Sequence, residues 1–399
     1  MQVQFEDFLN LPEIEVQAVL IENAVIHIHC QSKLPFAYCL HCLKRSEKIN
    51  QYQVREIRDL PLMGKKVILH LKSRQFICVS CHRYYYERFY FVDSHETVTQ
   101  RYSESIFKLC NGIELQHIVV IEDLCWQTVN RIFNKQANRL IDKSSSIKPV
   151  RRIGIDEIAL RKGHKNYVAV IVDLDTATVL DLLEDRSKDF IIRYFNQKGE
   201  AFCNQIVLFC SDLWEGYLNA AKEVFPNAML VTDRFHFFTK LQDCVDVCRR
   251  YFRKKYPKDK ELINLKWVLL KNEVDLSVEE RDLLKKVFAK EEYRLLRETY
   301  DSKNGFRDIL ERHIDQKMAN SEIQKWVDGN KLNRFVAHFL EFYERWKEYI
   351  LNYFRGRYHT SLIEGINNKI KSIKRRAYGF ANFQFFRTRV VAAFLHDLH

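Results

Sequence analysis

Seven residues carry the chemistry that this sequence offers: three acids and four cysteines. Asp156 closes the apolar stretch RRIGID, and Asp212 closes the apolar run IVLFCSD. Acids at the ends of buried strands are costly unless cations or metal compensate them. In open α/β sheets, ligands gather at the carboxyl ends of the strands. Two such aspartates on neighbouring strands, with a glutamate from a helix, bind two Mg2+ (or Mn2+) ions roughly 3.5–4 Å apart. That arrangement activates a water or a 3′-hydroxyl and stabilises the leaving oxygen of a phosphodiester. Mg2+ suits the work because it keeps few protein ligands and accepts phosphate oxygens. Each aspartate alone reads equally as a strand-end cap; the joint pattern points to chemistry.

Glu364 is the third acid. From Arg355 onward the last 45 residues hold nine Lys and Arg against two acids, +7 of the chain's +12. In SLIEGINNKIKSIKRRAYGF, residues Leu362, Ile363, Ile366, Ile370 and Ile373 share one helix face. Glu364, Asn367, Asn368, Lys371 and Arg375 occupy the other. One carboxylate in a field of cations suits a metal ligand beside bound phosphate, with Lys371, Lys374, Arg375 and Arg376 on the phosphates. A solvated face is the plainer reading. Asp233 and His236, in TDRFH, form an Asp-x-x-His where a strand gives way to a helix. Asp233 is a natural helix N-cap. The pair is also an accessory candidate for positioning metal, water or substrate, and Asp233 is the alternative to Asp212. Asp173 and Asp175 read as turn formers. Glu157, next to Asp156 on a strand, is expected to face away from it.

Cys39 and Cys42 form YCLHC, and 35 residues later Cys78 and Cys81 form ICVSC. Two C-x2-C knuckles make a tetrahedral site for one structural Zn2+. The intervening QYQVREI, KKVILHL and RQFICV read as three strands, giving a zinc ribbon with a longer spacer than usual. His41 and His82 are bystanders. The other cysteines show no second pairing and read as buried thiols.

The elements that must position these groups follow. Three amphipathic segments span 99–141. The second and third lie close enough for a helix-turn-helix, with Arg131, Lys135 and Arg139 recurring on one helix face for DNA. A plain helical hairpin fits the same pattern. KSSSIKP at 143–149 reads as a linker. Strands are expected at RRIGIDEIAL, YVAVIVDLD, ATVLDLLED, IVLFCSD and AMLVTD, interleaved with helices. From 257 to 350 the pattern is charged and helical, and Trp267, Tyr293, Trp326, Phe335, Phe339 and Trp346 read as the core of an insertion.

Composition sets the limits. With 47% hydrophobic residues, 11 Gly and 6 Pro in 399 residues, a disordered or collagen-like chain is excluded. The surplus of 64 Lys and Arg over 52 acids points to a polyanion, nucleic acid first. No apolar run approaches the ~20 residues of a membrane span, and no signal peptide is evident. A cytoplasmic protein, nucleoid-associated when on DNA, is expected.

The chain resembles the insertion-sequence DDE transposases of the ISL3 (ISL-three) type over nearly its full length. CLHC, CVSC, GIDEIAL, SDLWEGY, VTDRFHFFTKL and above all SLIEGINNKIKSIKRRAYGFANFQFFRTRV carry the likeness. The resemblance implies a multidomain α/β chain with a zinc ribbon, a helix-turn-helix domain and a ribonuclease-H-like catalytic domain with a helical insertion. It implies an acid triad of Asp156, Asp212 and Glu364. The domains are drawn at 1–90 (zinc ribbon region), 91–145 (helix-turn-helix), 146–256 (catalytic, first part), 257–350 (insertion) and 351–399 (catalytic, with the glutamate). The implied activity is metal-dependent cleavage and strand transfer of double-stranded DNA, at terminal inverted repeats and into target DNA. A homodimer or larger assembly on DNA is implied by the family alone. A zinc-containing DNA-binding regulator without cleavage, or a related nuclease or integrase, are the alternatives.

Overall fold

The computed structural model describes residues 9–144, 149–159, 167–358, 361–377 and 382–396. They fall into two compact units, 1–144 and 145–399. Residues 145–148, on which the expected linker falls, lie outside the described residues.

The first unit begins with strands β1 (Ile14–Glu22), β2 (Val25–Ser32), β3 (Ala37–Tyr38), β4 (Arg45–Ser46), β5 (Ile49–Leu62), β6 (Lys65–Ile77) and β7 (Tyr84–Tyr86). The main sheet runs β1-β2-β6-β5, with β7 on β6, while β3 and β4 pair with each other. KKVILHL and RQFICV, expected as separate strands, are one strand, β6. Nothing between them breaks the ladder, and Lys72, Ser73 and Arg74 stay in register with Val54, Gln53 and Tyr52 of β5. Strict alternation puts Val67, Leu69 and Leu71 on the core face beside Ile26, Ile28 and Ile57.

Three helices follow: α1 (Gln100–Gly112), α2 (Leu115–Ile121) and α3 (Trp126–Ser144). Thr99 caps α1 by accepting from Tyr102 N. Its hydroxyl also donates to Oδ1 of buried Asp59 on β5 at 2.7 Å. Arg101 donates to the same carboxylate through Nε at 2.8 Å. The helices are therefore bonded to the sheet, and the boundary drawn at residue 90 falls inside this unit.

The second unit is built on β8 (Arg152–Ala159), β9 (Tyr167–Asp173), β10 (Thr178–Leu183), α4 (Lys188–Lys198), α5 (Glu200–Asn204), β11 (Leu208–Ser211), α6 (Glu215–Val224), β12 (Met229–Thr232) and α7 (Arg234–Lys255). The sheet order is β10-β9-β8-β11-β12. Strands β8, β9 and β10 are antiparallel, and β11 runs parallel to both β8 and β12. β9 is buried from Val168 to Val172, as a run covered on both faces should be. Asp173 accepts from Asp175 N and the Thr176 hydroxyl, which makes it the turn former of the β9–β10 connection.

Helices α8 (Glu261–Leu270), α9 (Val278–Phe288), α10 (Arg294–Glu311), α11 (Gln316–Asn330) and α12 (Ala337–Asn352) come next, with no strand among them in the described residues. They serve two cores. Val245, Cys248 and Phe252 of α7 pack with Leu262, Leu265, Tyr293 and Leu296. Phe306, Ile309, Ile323, Phe339 and Tyr343 instead join the core of the sheet. Trp267, expected inside, is 68% exposed. Helix α8 buries Leu262, Leu265, Val268 and Leu269, and Trp267 falls outside that stripe, beside the Lys266 ammonium.

The chain ends with α13 (Ser361–Arg376), packed on β8, and α14 (Phe383–His396), packed on β10. Gly154 sets how closely α13 approaches. A Cβ built there would stand 2.5 Å from Cδ1 of buried Ile363 and 2.8 Å from Cδ2 of Leu174. Gly154→Val should therefore overpack the α13 contact and cost about 1–3 kcal/mol in urea unfolding. Ile363→Ala in the same chain should recover part of that loss, as a double-mutant cycle would read.

Candidate active site

The catalytic candidates are placed by strand register. Ile155, Ser211 and Thr232 are level across the parallel strands β8, β11 and β12. The next residue of each is an aspartate: Asp156, Asp212 and Asp233. Asp233 N donates to Ser211 O at 2.9 Å, which continues the level pairing by one bond. All three line one cavity of about 930 Å³ together with Glu364, His236 and Lys371. The structure thus brings both sequence-assigned aspartates, Glu364 and the accessory pair to one place.

Each acid has its own support. Asp156 Oδ1 accepts from Glu157 N at 2.8 Å, and Oδ2 accepts from Asn367 Nδ2 at 2.7 Å. The second bond joins α13 directly to β8. Asp212 Oδ1 accepts from Trp214 N at 3.1 Å. Asp233 is the N-cap of α7 and accepts from Phe235 N at 2.9 Å. Glu157 lines the same cavity rather than facing away from it. Beyond Ile155, β8 pairs with β9, so its other edge opens toward the cavity. Glu157 is held by Arg186, whose guanidinium lies over the rings of Tyr167 and Trp214.

Burial, with a smaller push from the Asp156 charge, raises the Asp212 carboxyl to about 6. Burial also raises Asp156. The His236 ring partly offsets both shifts. Among the described residues, neither aspartate forms an ion pair. Asn367 Oδ1 is buried and has no hydrogen-bond partner among the described residues. Hard oxygen donors, uncompensated charge and an orphaned amide oxygen fit a divalent cation. Asp156, Asp212 and Glu364 line the cavity as oxygen donors of the kind that Mg2+ (or Mn2+) accepts.

The cysteines form a second centre. One ligand atom from each of Cys39, Cys42, Cys78 and Cys81 lies within 4.8 Å of the others. The Cys39–Cys81 and Cys42–Cys78 sulfur pairs are 3.6 and 3.4 Å apart. A tetrahedron of thiolates around zinc has edges of about 3.8 Å. Both knuckles have the same build. Leu43 N donates to Cys39 O, and His82 N donates to Cys78 O, each at 2.9 Å. Leu43 and His82 both sit at positive φ, 60° and 57°. Backbone N–H groups of Cys81 and Ser80 draw the Cys78 thiol down to about 6, toward the metal-binding thiolate. His41 and His82 stand outside the cluster.

The basic candidates divide. Lys371 lines the cavity, whereas Lys374 donates to Ala159 O at 2.9 Å and helps fasten α13 to β8. Arg375 and Arg376 lie on exposed turns of α13. Arg131 and Lys135 pair with Glu96, and Lys135 and Arg139 pair with Asp93. These three cations of α3 are thus engaged within their own unit, not presented bare. Lys135 holds the Asp93 carboxyl below its ordinary value.

Sequence patterning missed the burial of Asn367, which helical spacing assigns to the polar face. It also missed the cavity walls contributed by Arg234, Lys271 and Arg307. Packing of α7, α8 and α10 brings those in, and no local spacing signals it.

Comparison with known proteins follows the same division. A model of the DDE, ISL3-type family described as transposase matches residues 153–390. A model of the zinc finger of transposases IS204/IS1001/IS1096/IS1165 matches residues 35–81. The chain is 27% identical over 367 residues to the transposase for insertion sequence element IS1001 of Bordetella parapertussis, covering 89% of this chain and 88% of that protein. It is 24% identical over 322 residues to the transposase for insertion sequence element IS1557 of Mycobacterium tuberculosis, covering 73% and 70%.

Two outcomes are expected. The folded pKa of Asp212 lies above its ordinary value, so the folded chain holds the extra proton between about pH 4 and 6. Metal-free stability therefore falls as pH rises through that window. Asp212→Asn should add up to about 3 kcal/mol at pH 7.5 without Mg2+, with the gain shrinking toward pH 4. Urea unfolding at the two pH values reads it. Cys78→Ser should abolish the one zinc per chain seen by elemental analysis and unfold the knuckles, while leaving the second unit folded.

Proposed function

The chain belongs to the ISL3 family of insertion-sequence transposases, and from that premise we propose how its parts divide the work. The first unit binds the terminal inverted repeats of the element. The second cuts the DNA there and joins the 3′ ends to target DNA. The reading rests on one observation above the rest: level aspartates on parallel strands share a cavity with a glutamate from a distant helix. Three antiparallel strands continued by two parallel ones support a ribonuclease-H-like catalytic domain. The turn from Glu122 to Cys125 between α2 and α3 supports a helix-turn-helix. Pairing on DNA as a dimer or larger assembly is part of the same proposal.

Asp156, Asp212 and Glu364 would hold two Mg2+ (or Mn2+) ions, which supply Lewis-acid activation of the attacking and leaving oxygens when bound. The chain's own groups do the rest. Asn367 fixes the Asp156 carboxylate by its amide N–H and itself lines the cavity. Asp233 sets the first turn of α7 and so the position of His236. Lys371, with Arg375 and Arg376 further along α13, holds DNA phosphates. In the first unit, Arg131, Lys135 and Arg139 reach DNA by exchanging Asp93 and Glu96 for phosphate.

The triad is tested by cleavage of the element's own end in Mg2+. Asp156→Asn, Asp212→Asn and Glu364→Gln should each lower the rate roughly a thousandfold or more while end binding persists. Asp233→Asn run alongside decides the second acid: full activity for Asp212→Asn with loss for Asp233→Asn would reverse the assignment. A non-cutting regulator would show no wild-type cleavage at all.

The exchange on α3 makes a second, opposite-signed prediction. Asp93→Asn with Glu96→Gln should tighten end binding and steepen its salt dependence, because three cations are released to phosphate. Arg131→Ala with Arg139→Ala should weaken binding and flatten the salt slope. Equal affinity for all three proteins would move DNA recognition away from α3.

A further inference from the structure

We propose that Phe235 is a stacking platform for an unpaired nucleobase beside the scissile phosphate. The proposal deepens the transposase reading and rests on it. The chain has 28 phenylalanines, and among the described residues Phe235 is the one left exposed, at 69%. It stands in the first turn of α7 and lines the cavity that holds Asp156, Asp212 and Glu364. An apolar ring in water amid charged groups has a free-energy reason to be covered.

The surroundings fit a nucleotide. Phe235 N is pinned by Asp233 Oδ1 at 2.9 Å, so the ring has a fixed root. Its described aromatic neighbour, His236, meets it edge-on, with centroids 5.6 Å apart and planes at 87°. Arg234 and Arg307 line the same cavity as donors for backbone phosphates. At about 930 Å³ the space is far larger than a metal pair needs and is near the upper end of small-molecule sites. In a stacked duplex the faces of the bases are covered by their neighbours. Only a base withdrawn from the stack presents a face to a ring, so contact with Phe235 selects an opened strand at the cut. Base–aromatic stacking is sequence-tolerant, since every base has a π-face.

The test uses the full chain, Mg2+ and duplexes carrying its own element's end. One duplex is fully paired; in others the base pairs flanking the cut are mismatched and so already open. Phe235→Ala should slow cleavage of the paired end by roughly 10- to 100-fold. On the mismatched end most of that loss should disappear. Phe235→Trp should keep the wild-type rate on both, and Phe235→Leu should behave as Ala does, because it restores apolar bulk without a stacking face. Wild-type cleavage of the paired end by Phe235→Ala overturns the proposal. So does an equal loss on paired and mismatched ends, which would mark a role unrelated to strand opening. If the wild-type protein cuts neither duplex, the transposase reading itself falls, and the stacking role with it.

Discussion

The second unit is organised around a repulsion. Register across β8, β11 and β12 places three aspartates side by side, at the rim of a sheet whose interior is apolar. Burial resists the ionisation of Asp156 and Asp212, and the Asp156 charge adds to the resistance at Asp212. No ion pair within the described protein relieves Asp156 or Asp212. The site is therefore destabilising as a piece of folding and must be held by its surroundings. A well-buried sheet supplies that hold, with β9 covered on both faces and Gly154 admitting Ile363 against β8. Asn367 then reaches Asp156 from α13 without adding charge. An amide stabilises one carboxylate oxygen and leaves its negative charge available to a cation. A lysine in its place would have neutralised the acid and closed the site to metal.

The first unit meets a related problem with different chemistry. Its knuckles bring four thiol sulfurs within reach of one ion and stabilise a thiolate through backbone N–H groups. Two residues adopt left-handed backbone to do so, His82 and Leu43, and leucine is rarely found there. Such local strain persists only where something stronger over-determines the geometry, and four metal–sulfur bonds are strong enough. In both units the protein sets electron-rich atoms close together: carboxylates in one cavity, thiol sulfurs in one cluster.

What was legible in the sequence follows from how local each signal is. The β9 and β11 strands are continuous apolar runs, and Asp156 and Asp212 end their apolar stretches, so they could be read one residue at a time. The knuckles have a fixed spacing and were equally plain. Non-local features were not legible. β6 looked like two strands because Lys72, Ser73 and Arg74 are polar, but their outer neighbours on β5 keep the ladder whole. Trp267 looked like core because aromatic residues usually are, yet the buried stripe of α8 passes it by. Arg131, Lys135 and Arg139 looked like a bare cationic face because their acids lie about 40 residues earlier in the chain, on Asp93 and Glu96. Asn367 shows the limit most clearly. Its helix pattern makes it polar and outward, and only the approach of β8 turns outward into buried.

The long helical segment is the part about which local pattern says least, and its packing assigns it a role. Its later helices share the core of the sheet, so this half is not a detachable appendage. Its earlier helices have a core of their own. Where the two meet, the end of α8 delivers Leu270, Lys271 and Asn272 to the cavity wall. A helix end exposes carbonyls that need donors. Here the donor is Lys303, fully buried, with its ammonium 2.7 Å from Leu269 O and 3.2 Å from Lys271 O. Burial draws that ammonium down to about 7, which is a real cost for a position any apolar residue could fill. The cost is coherent if the thing stabilised is the location of the α8 terminus and not the core around it. Tyr300 lies under the ammonium with its ring face, and the Glu273 charge offsets part of the burial cost. This part of the cavity wall is thus fixed by Lys303 and two carbonyls. A segment that sequence marks only as charged and helical thus contributes to the cavity that the aspartates line.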